Sequence, residues 1–246
     1  MRFAIILFAA FTCGANAHAD AIAEVRAALA RFNASQDVKL RVEQTLTTSS
    51  DEEGSKPESG RAVFFIHASS EGISLTYPAA ELARAEREER ANQQNPESPT
   101  GTRGALSEVN PVQASEFANF APKLGRLLQQ ARIVSDQPGT YQGSTVRHLV
   151  LAIAPNLSQT QKKHVRDIQH QVTLRIGSDN VPLACESSFT VKARFLLIRV
   201  EHTTKESWTL SPQGSRLVVT RHAEESGGSA MGRGYRKQGG AVLAVQ

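Results

Sequence analysis

The side chains of this chain that could hold a metal ion are histidines and carboxylates scattered along its length. Six of the seven histidines lie beyond residue 19, at positions 67, 148, 164, 170, 202 and 222. His222-Ala-Glu224 resembles the start of a zinc-deaminase signature, but the P-C-x-x-C half is absent. A zinc site would need two or three histidines brought together by distant strands. The sequence therefore predicts no metal site.

Sequence motifs of nucleophilic, phosphate or redox chemistry are also absent. The chain has no G-x-S-x-G elbow, no Ser-x-x-Lys pair, no H-E-x-x-H, no phosphate-binding glycine loop and no C-x-x-C. Its acidic residues fall in loops or in the charged segment 81–90, where solvation explains them. We therefore expect no catalytic residue, no cofactor and no enzymatic activity.

Residues 1–19 have the pattern of a secretory signal peptide. Arg2 precedes an apolar run, and Ala17-His18-Ala19 supplies the small residues of a cleavage site. We expect an exported, periplasmic protein that begins at Asp20, with lipidation of Cys13 as the alternative. No later stretch approaches the roughly 20 apolar residues of a membrane helix, so no stable membrane insertion is expected.

The net charge is mild and its carriers are scattered. The chain carries a formal charge of +4, which falls to +3 when Arg2 leaves with the leader. A nucleic-acid surface would show clustered Lys and Arg, so no nucleic-acid partner is predicted. Cys185 is the one cysteine beyond the leader, which excludes an intramolecular disulfide. Its apolar neighbours indicate a buried, inert thiol.

Apolar periodicity gives the order of the elements. An amphipathic helix is predicted over 21–33, and strands follow at 38–46, 62–67 and 73–77. A helical insert is predicted over 78–131. Its second helical stretch, 114–131, should be split by Pro122 and carries one apolar side, formed by Phe117, Phe120, Leu124, Leu127 and Leu128.

The remainder, from residue 132 to 222, has the pattern of an antiparallel meander. The clearest alternation lies at 168–176, where Ile168, Val172, Leu174 and Ile176 should point inward. The glycine-rich end, 226–246, is predicted to be a disordered tail.

These elements predict an α+β, mostly antiparallel fold. We expect one domain over residues 20–225, built on a strongly curved, open β-sheet of about ten strands, an incomplete barrel covered by a few helices. The runs 62–66, 148–154 and 195–198 are apolar on both faces and need cover on two sides. The helices at 21–33 and 114–131 are the cover that the sequence offers.

This order of elements resembles the periplasmic lipoprotein carriers of the LolA/LolB-like superfamily, which includes the RseB-like regulators. The segment most similar in kind is the strand-turn-strand LRIGSDNVPLACES at 174–187. The resemblance is one of architecture, and no functional residue is carried over from it. It implies a curved sheet that binds acyl chains between its concave face and the helices.

Two functions of different classes are therefore considered. In the first, the exported protein binds a lipid or a lipoprotein acyl chain, through Phe117, Phe120, Leu124, Leu127, Val172 and Leu174. In the second, it is a non-catalytic envelope interaction or regulatory protein with a solid core, no lipid ligand, an envelope protein as partner and the helix 78–93 as contact surface. Beside these two, a third function is a hydrolase with an unfamiliar site. It would be indicated by a histidine, a carboxylate and a serine clustered in one cleft.

Overall fold

The computed structural model describes residues 16–52, 55–195, 198–230 and 233–246. In chain order its elements are α1 (Asn16–Leu29), β1 (Val38–Ser50), β2 (Glu58–Ala68), β3 (Ile73–Thr76), α2 (Ala79–Gln94), α3 (Gly101–Ser107), α4 (Pro111–Ala118), α5 (Ala121–Gln129), β4 (Ala131–Tyr141), β5 (Ser144–Ile153), α6 (Gln159–His164), β6 (Val165–Ile176), β7 (Pro182–Phe195), β8 (Ile198–Gln213), β9 (Arg216–Ala230) and β10 (Arg233–Val245).

The strands form one open antiparallel sheet in the order β3-β2-β1-β10-β9-β8-β7-β6-β5-β4. Within the described ranges the sheet has ten strands and is accompanied by six helices. Consecutive strands pair throughout, as antiparallel strands with short connections do, except for β3 and β4, which the helical insert separates and which form the two edges of the sheet. The predicted α+β class with a curved, open antiparallel sheet is confirmed.

The last strand corrects the sequence prediction. The predicted disordered tail, 226–246, is wrong for its described residues, because 226–230 complete β9 and 233–245 make β10. β10 pairs with β1 on one side and with β9 on the other, and its Ala241 and Leu243 are buried. The strand that the sequence assigned to a tail thus joins the two halves of the sheet.

The insert between β3 and β4 consists of four helices. Pro122 follows the break between α4 and α5, as predicted. The segment before them contains α3, which packs directly on β2. Gly60 and Gly101 permit that approach, since a Cβ on Gly60 would lie 1.7 Å from the carbonyl oxygen of Gly101. α2 lies outside this layer and has no buried residue.

One face of the sheet packs against α1, α4 and α5, and we call it the covered face; the opposite one is the open face. The period-two prediction for β6 holds, because Val172, Leu174 and Ile176 are buried while Ile168 is half-buried. Val172, Leu174 and Ile176 belong to a core cluster that also contains side chains of β2 and of the helices.

The predicted signal peptide falls mostly on residues 1–15, which lie outside the described residues, while Ala17–Ala19 lie in the first turn of α1. No helix among the described residues has the length and apolar character needed to cross a bilayer.

The face assignment of β6 generates a stability prediction. Val172→Arg should lower the free energy of unfolding by about 4 kcal/mol or more, because it places an unpaired charge in the core. Gln171→Arg, one residue away on the open face, should change it by no more than about 0.5 kcal/mol. Urea denaturation of both variants checks this, and equal losses would mean that the face assignment is wrong.

Candidate functional site

The covered face changes from apolar to polar along β8 and β9. Trp208 and His222 lie opposite each other in the sheet and are buried under the helices. The next pair on the same face is Glu206 with Glu224, where the helical cover ends. The candidate site lies at this boundary between the core and the polar part of the covered face.

Glu206, His222 and Glu224 form a compact cluster at the boundary. One ligand-type atom from each residue lies within 4.8 Å of the corresponding atoms of the other two. His222 Nε2 is 3.6 Å from Glu206 Oε1, slightly longer than a hydrogen bond. His222 and Glu224 share a face because they are two residues apart on one strand. The pairing of β8 with β9 then adds Glu206.

Aromatic packing holds the imidazole of His222. Its ring stacks on Trp208 with centroids 5.6 Å apart and contacts Phe117 of α4 at 5.4 Å. The residue is only 4% exposed. Within the part of the chain that the structure describes, neither ring nitrogen of His222 has a hydrogen-bond partner. The ring is therefore fixed by apolar contacts while its polar atoms remain unsatisfied.

Two lysines contribute positive charge near the cluster. Lys237 of β10 places its Nζ 2.5 Å from Glu108 and 3.6 Å from Glu224. Burial lowers the pKa of Lys237, but the two carboxylates outweigh it and raise that pKa above its ordinary value. Lys123 of α5 lies 4.5 Å above the Trp208 ring and pairs with Glu116 at 2.9 Å.

The carboxyl group of Glu206 stays ionised at neutral pH. Burial raises its pKa, but the contact with His222 and the positive charge of Lys123 lower it by more, so the net shift is downward. Two carboxylates and an imidazole at this spacing can hold a proton between them or bind a cation. They include no hydroxyl or thiol group.

A serine and a histidine lie nearby on the same face. His170 Nε2 is 3.0 Å from Ser187 Oγ, and burial lowers the pKa of His170. Ser187 pairs with Glu206 across β7 and β8, but the Glu206 carboxylate lies against His222. A serine–base contact is therefore present, while the carboxylate that could orient the base is directed to the other histidine.

The six residues predicted to contact an acyl chain come together in the core. Leu127 is partly buried and packs against this cluster; the other five are each at most 1% exposed, namely Phe117, Phe120, Leu124, Val172 and Leu174. Cys185 is fully buried beside them, and burial raises the pKa of its thiol, so it is inert.

Sequence reasoning missed the cluster of Glu206, His222 and Glu224. It set the His222-Ala-Glu224 pair aside because the rest of a known signature was absent. The available signal was the spacing of two in a strand, which places both side chains on one face. No sequence pattern indicated Glu206, because only the pairing of β8 with β9 places it beside His222 and Glu224.

Comparisons with known proteins give little. No family model matches the chain, and no curated protein matches it. Among solved structures, the crystal structure of MucB in complex with MucA(peri) aligns with 92% of this chain and 94% of that chain, at 9% identity and a TM-score of 0.19. A likeness this weak carries no argument, so the resemblance to the LolA/LolB-like superfamily stays a prediction.

The helical cover of the site depends on Asn119, which lies between α4 and α5 and is 7% exposed. Its side-chain NH2 donates to the Phe32 carbonyl at 3.0 Å, and its Oδ1 accepts from Leu217 N at 3.1 Å and Ala121 N at 3.4 Å. The Phe120 amide also donates to the Leu217 carbonyl at 2.7 Å. The side-chain amide of Asn119 therefore connects the helices, the α1–β1 linker and β9.

Asn119→Ala should lower the free energy of unfolding by about 2 kcal/mol or more, because it leaves buried backbone groups without partners. Asn95→Ala, at an exposed helix end, is the matched control and should cost no more than about 0.5 kcal/mol. Chemical denaturation measures both. A loss for Asn119→Ala as small as that of the control would show that the amide does not hold the cover.

Proposed function

We propose that this protein is a non-catalytic interaction protein of the cell envelope with a solid core. The observation that carries the proposal is the position of the six residues considered for acyl binding. They pack against one another and against β-sheet side chains in a continuous core cluster. Because interiors of this kind are close-packed, the region between sheet and helices serves stability better than lipid storage.

A groove on the open face is the binding surface that we favour. Its volume is about 540 Å³, in the range of known ligand sites. It crosses β6 to β10, and its open-face side chains include Gln171, Thr173, Glu186, Lys205, Glu225 and Gln238. Charges of both signs and several amides suit a polar polypeptide segment better than an acyl chain. The proposed partner is therefore an exposed segment of another envelope protein.

The groove lies on strands that the fold holds rigidly. Glu186 pairs with Arg175 at 2.6 Å, and Lys205 and Glu225 lie opposite each other on β8 and β9. Across the sheet, the same strands carry core side chains on the covered face. A partner would therefore meet a preformed surface and would bind without ordering the groove first. Export of the protein is predicted from the signal-peptide pattern of residues 1–19 and is part of the same proposal.

Site-specific photo-crosslinking tests this proposal in the cells that make the protein. A photoreactive residue at Gln171, in the groove, should give a discrete polypeptide adduct. The same residue at Gln93, exposed on α2, is the matched control and should give none. An adduct from Gln93 alone would move the partner from the groove to α2.

A lipid-binding assay provides the complementary test. Delipidated wild-type protein should show no saturable binding of fluorescent fatty acids of several chain lengths, because the six residues pack into one core cluster. Leu124→Gln should then lower the free energy of unfolding, by about 2 kcal/mol or more. Saturable probe binding that is lost in a stably folded Leu124→Gln protein would overturn the proposal in favour of an acyl ligand.

Serine-type hydrolysis is the second candidate, favoured by the contact between His170 and Ser187. A fluorophosphonate probe distinguishes it from the first. We expect no labelling of wild-type protein, because Glu206 lies against His222 and does not orient His170. Labelling that disappears in Ser187→Ala would support the hydrolase instead.

A further inference from the structure

We infer that Glu206, His222 and Glu224 form a binding site for one divalent transition-metal ion, and that Zn²⁺ is the ion this donor set suits. The inference goes beyond the proposed function, since it concerns side chains of the covered face, requires no partner and would hold for an interaction protein or an enzyme. Glu206 and Glu224 also border the groove, from the other side of the sheet. Four observations support the inference.

The first observation is geometric. Ligands at about 2.1 Å from a tetrahedral Zn²⁺ ion lie about 3.4 Å from one another. His222 Nε2 and Glu206 Oε1 are already 3.6 Å apart. The ligand atoms of all three residues lie within 4.8 Å of one another, so small side-chain rotations of the two carboxylates close the set. The imidazole is held by Phe117 and Trp208 and need not move.

The second observation is the unsatisfied histidine. Buried polar atoms in proteins nearly always have partners, and an exception commonly marks an ion or a water. His222 is 4% exposed, and among the described residues both its ring nitrogens lack a hydrogen bond. Its Nε2 points at a carboxylate from a distance too long for a hydrogen bond. An ion between the nitrogen and the carboxylate would satisfy both.

The third observation is the balance of charge. Glu206, Glu224 and Glu108 lie around the cluster, and Lys237 is shared between Glu108 and Glu224. Lys123 is already paired with Glu116. The carboxylates of Glu206, Glu224 and Glu108 therefore outnumber Lys237, the one lysine that forms an ion pair with any of them among the described residues. A dication offsets this excess without adding another side chain.

The fourth observation concerns access and the class of ion. The Glu206 and Glu224 side chains keep 26% and 19% of their exposure, so an ion can enter from solvent while His222 stays buried. Ca²⁺ and Mg²⁺ prefer oxygen ligands alone, whereas Zn²⁺ and its neighbours accept imidazole with carboxylate. Three protein ligands would leave a fourth position open towards solvent, available to water.

Isothermal titration of tag-free, metal-stripped protein with Zn²⁺ tests the inference. Wild-type protein should bind one equivalent. Glu206→Gln and Glu224→Gln keep the shape of each side chain and should each weaken binding at least tenfold. Glu201→Gln is the matched control, because it removes an exposed carboxylate of the same strand as Glu206 but on the open face, and should bind as wild type does. Thermal unfolding without metal confirms that all variants are folded.

A spectroscopic measurement identifies the ligands directly. Titration with Co²⁺ should give visible absorption bands, and the ¹H–¹⁵N spectrum of the His222 ring should change at one equivalent. Absence of Zn²⁺ binding to wild type would overturn the inference. If both glutamine variants bound Zn²⁺ as tightly as wild type, the ion would lie elsewhere. The same would follow if the ring of another histidine, and not that of His222, responded to the metal. None of these outcomes depends on the envelope partner, so they test the metal site independently of the proposed function.

Discussion

The covered face of the sheet is apolar over only part of each strand, and the helices cover only that part. Removing apolar surface from water drives this packing, so the cover ends where the side chains become polar. α1, α4 and α5 fill the apolar region, and the boundary falls between Trp208 and Glu206 on β8. The candidate site and the buried core are both consequences of that boundary.

His222 occupies the boundary itself, and this explains its unusual surroundings. Phe117 and Trp208 hold its ring as they would hold any core aromatic, while Glu206 and Glu224 begin the polar region one row further along the strands. A histidine one row deeper would be an inert core residue, and one row outward it would be solvated. At the boundary it is buried, packed between aromatic rings and adjacent to two carboxylates, and this is the arrangement from which we infer cation binding.

The helices are positioned by polar groups from distant parts of the chain. Asn119 joins the break between α4 and α5 to Phe32 and Leu217, and buried Arg216 donates to the carbonyls of Ala34 and Gln36. Burial lowers the pKa of this arginine, although it remains charged at any physiological pH. Such contacts fix the angle of the cover in a way that non-directional apolar packing does not. The covered face is thereby committed to a core, which leaves the open face and the boundary for binding.

Local sequence determined those features that depend on neighbouring residues alone. The period of two in β6, the break at Pro122, the capping box of Ser158 and Gln161, and the turn at Gln142-Gly143 with its positive φ angles all follow from short-range sterics and hydrogen bonding. The tertiary structure decided the rest. β10 has too little apolar content to specify itself and forms because β1, nearly 200 residues earlier, and β9 both pair with it. Glu206 meets His222 and Glu224 for the same reason, since the register of two strands is set by the whole sheet and not by any residue in the site.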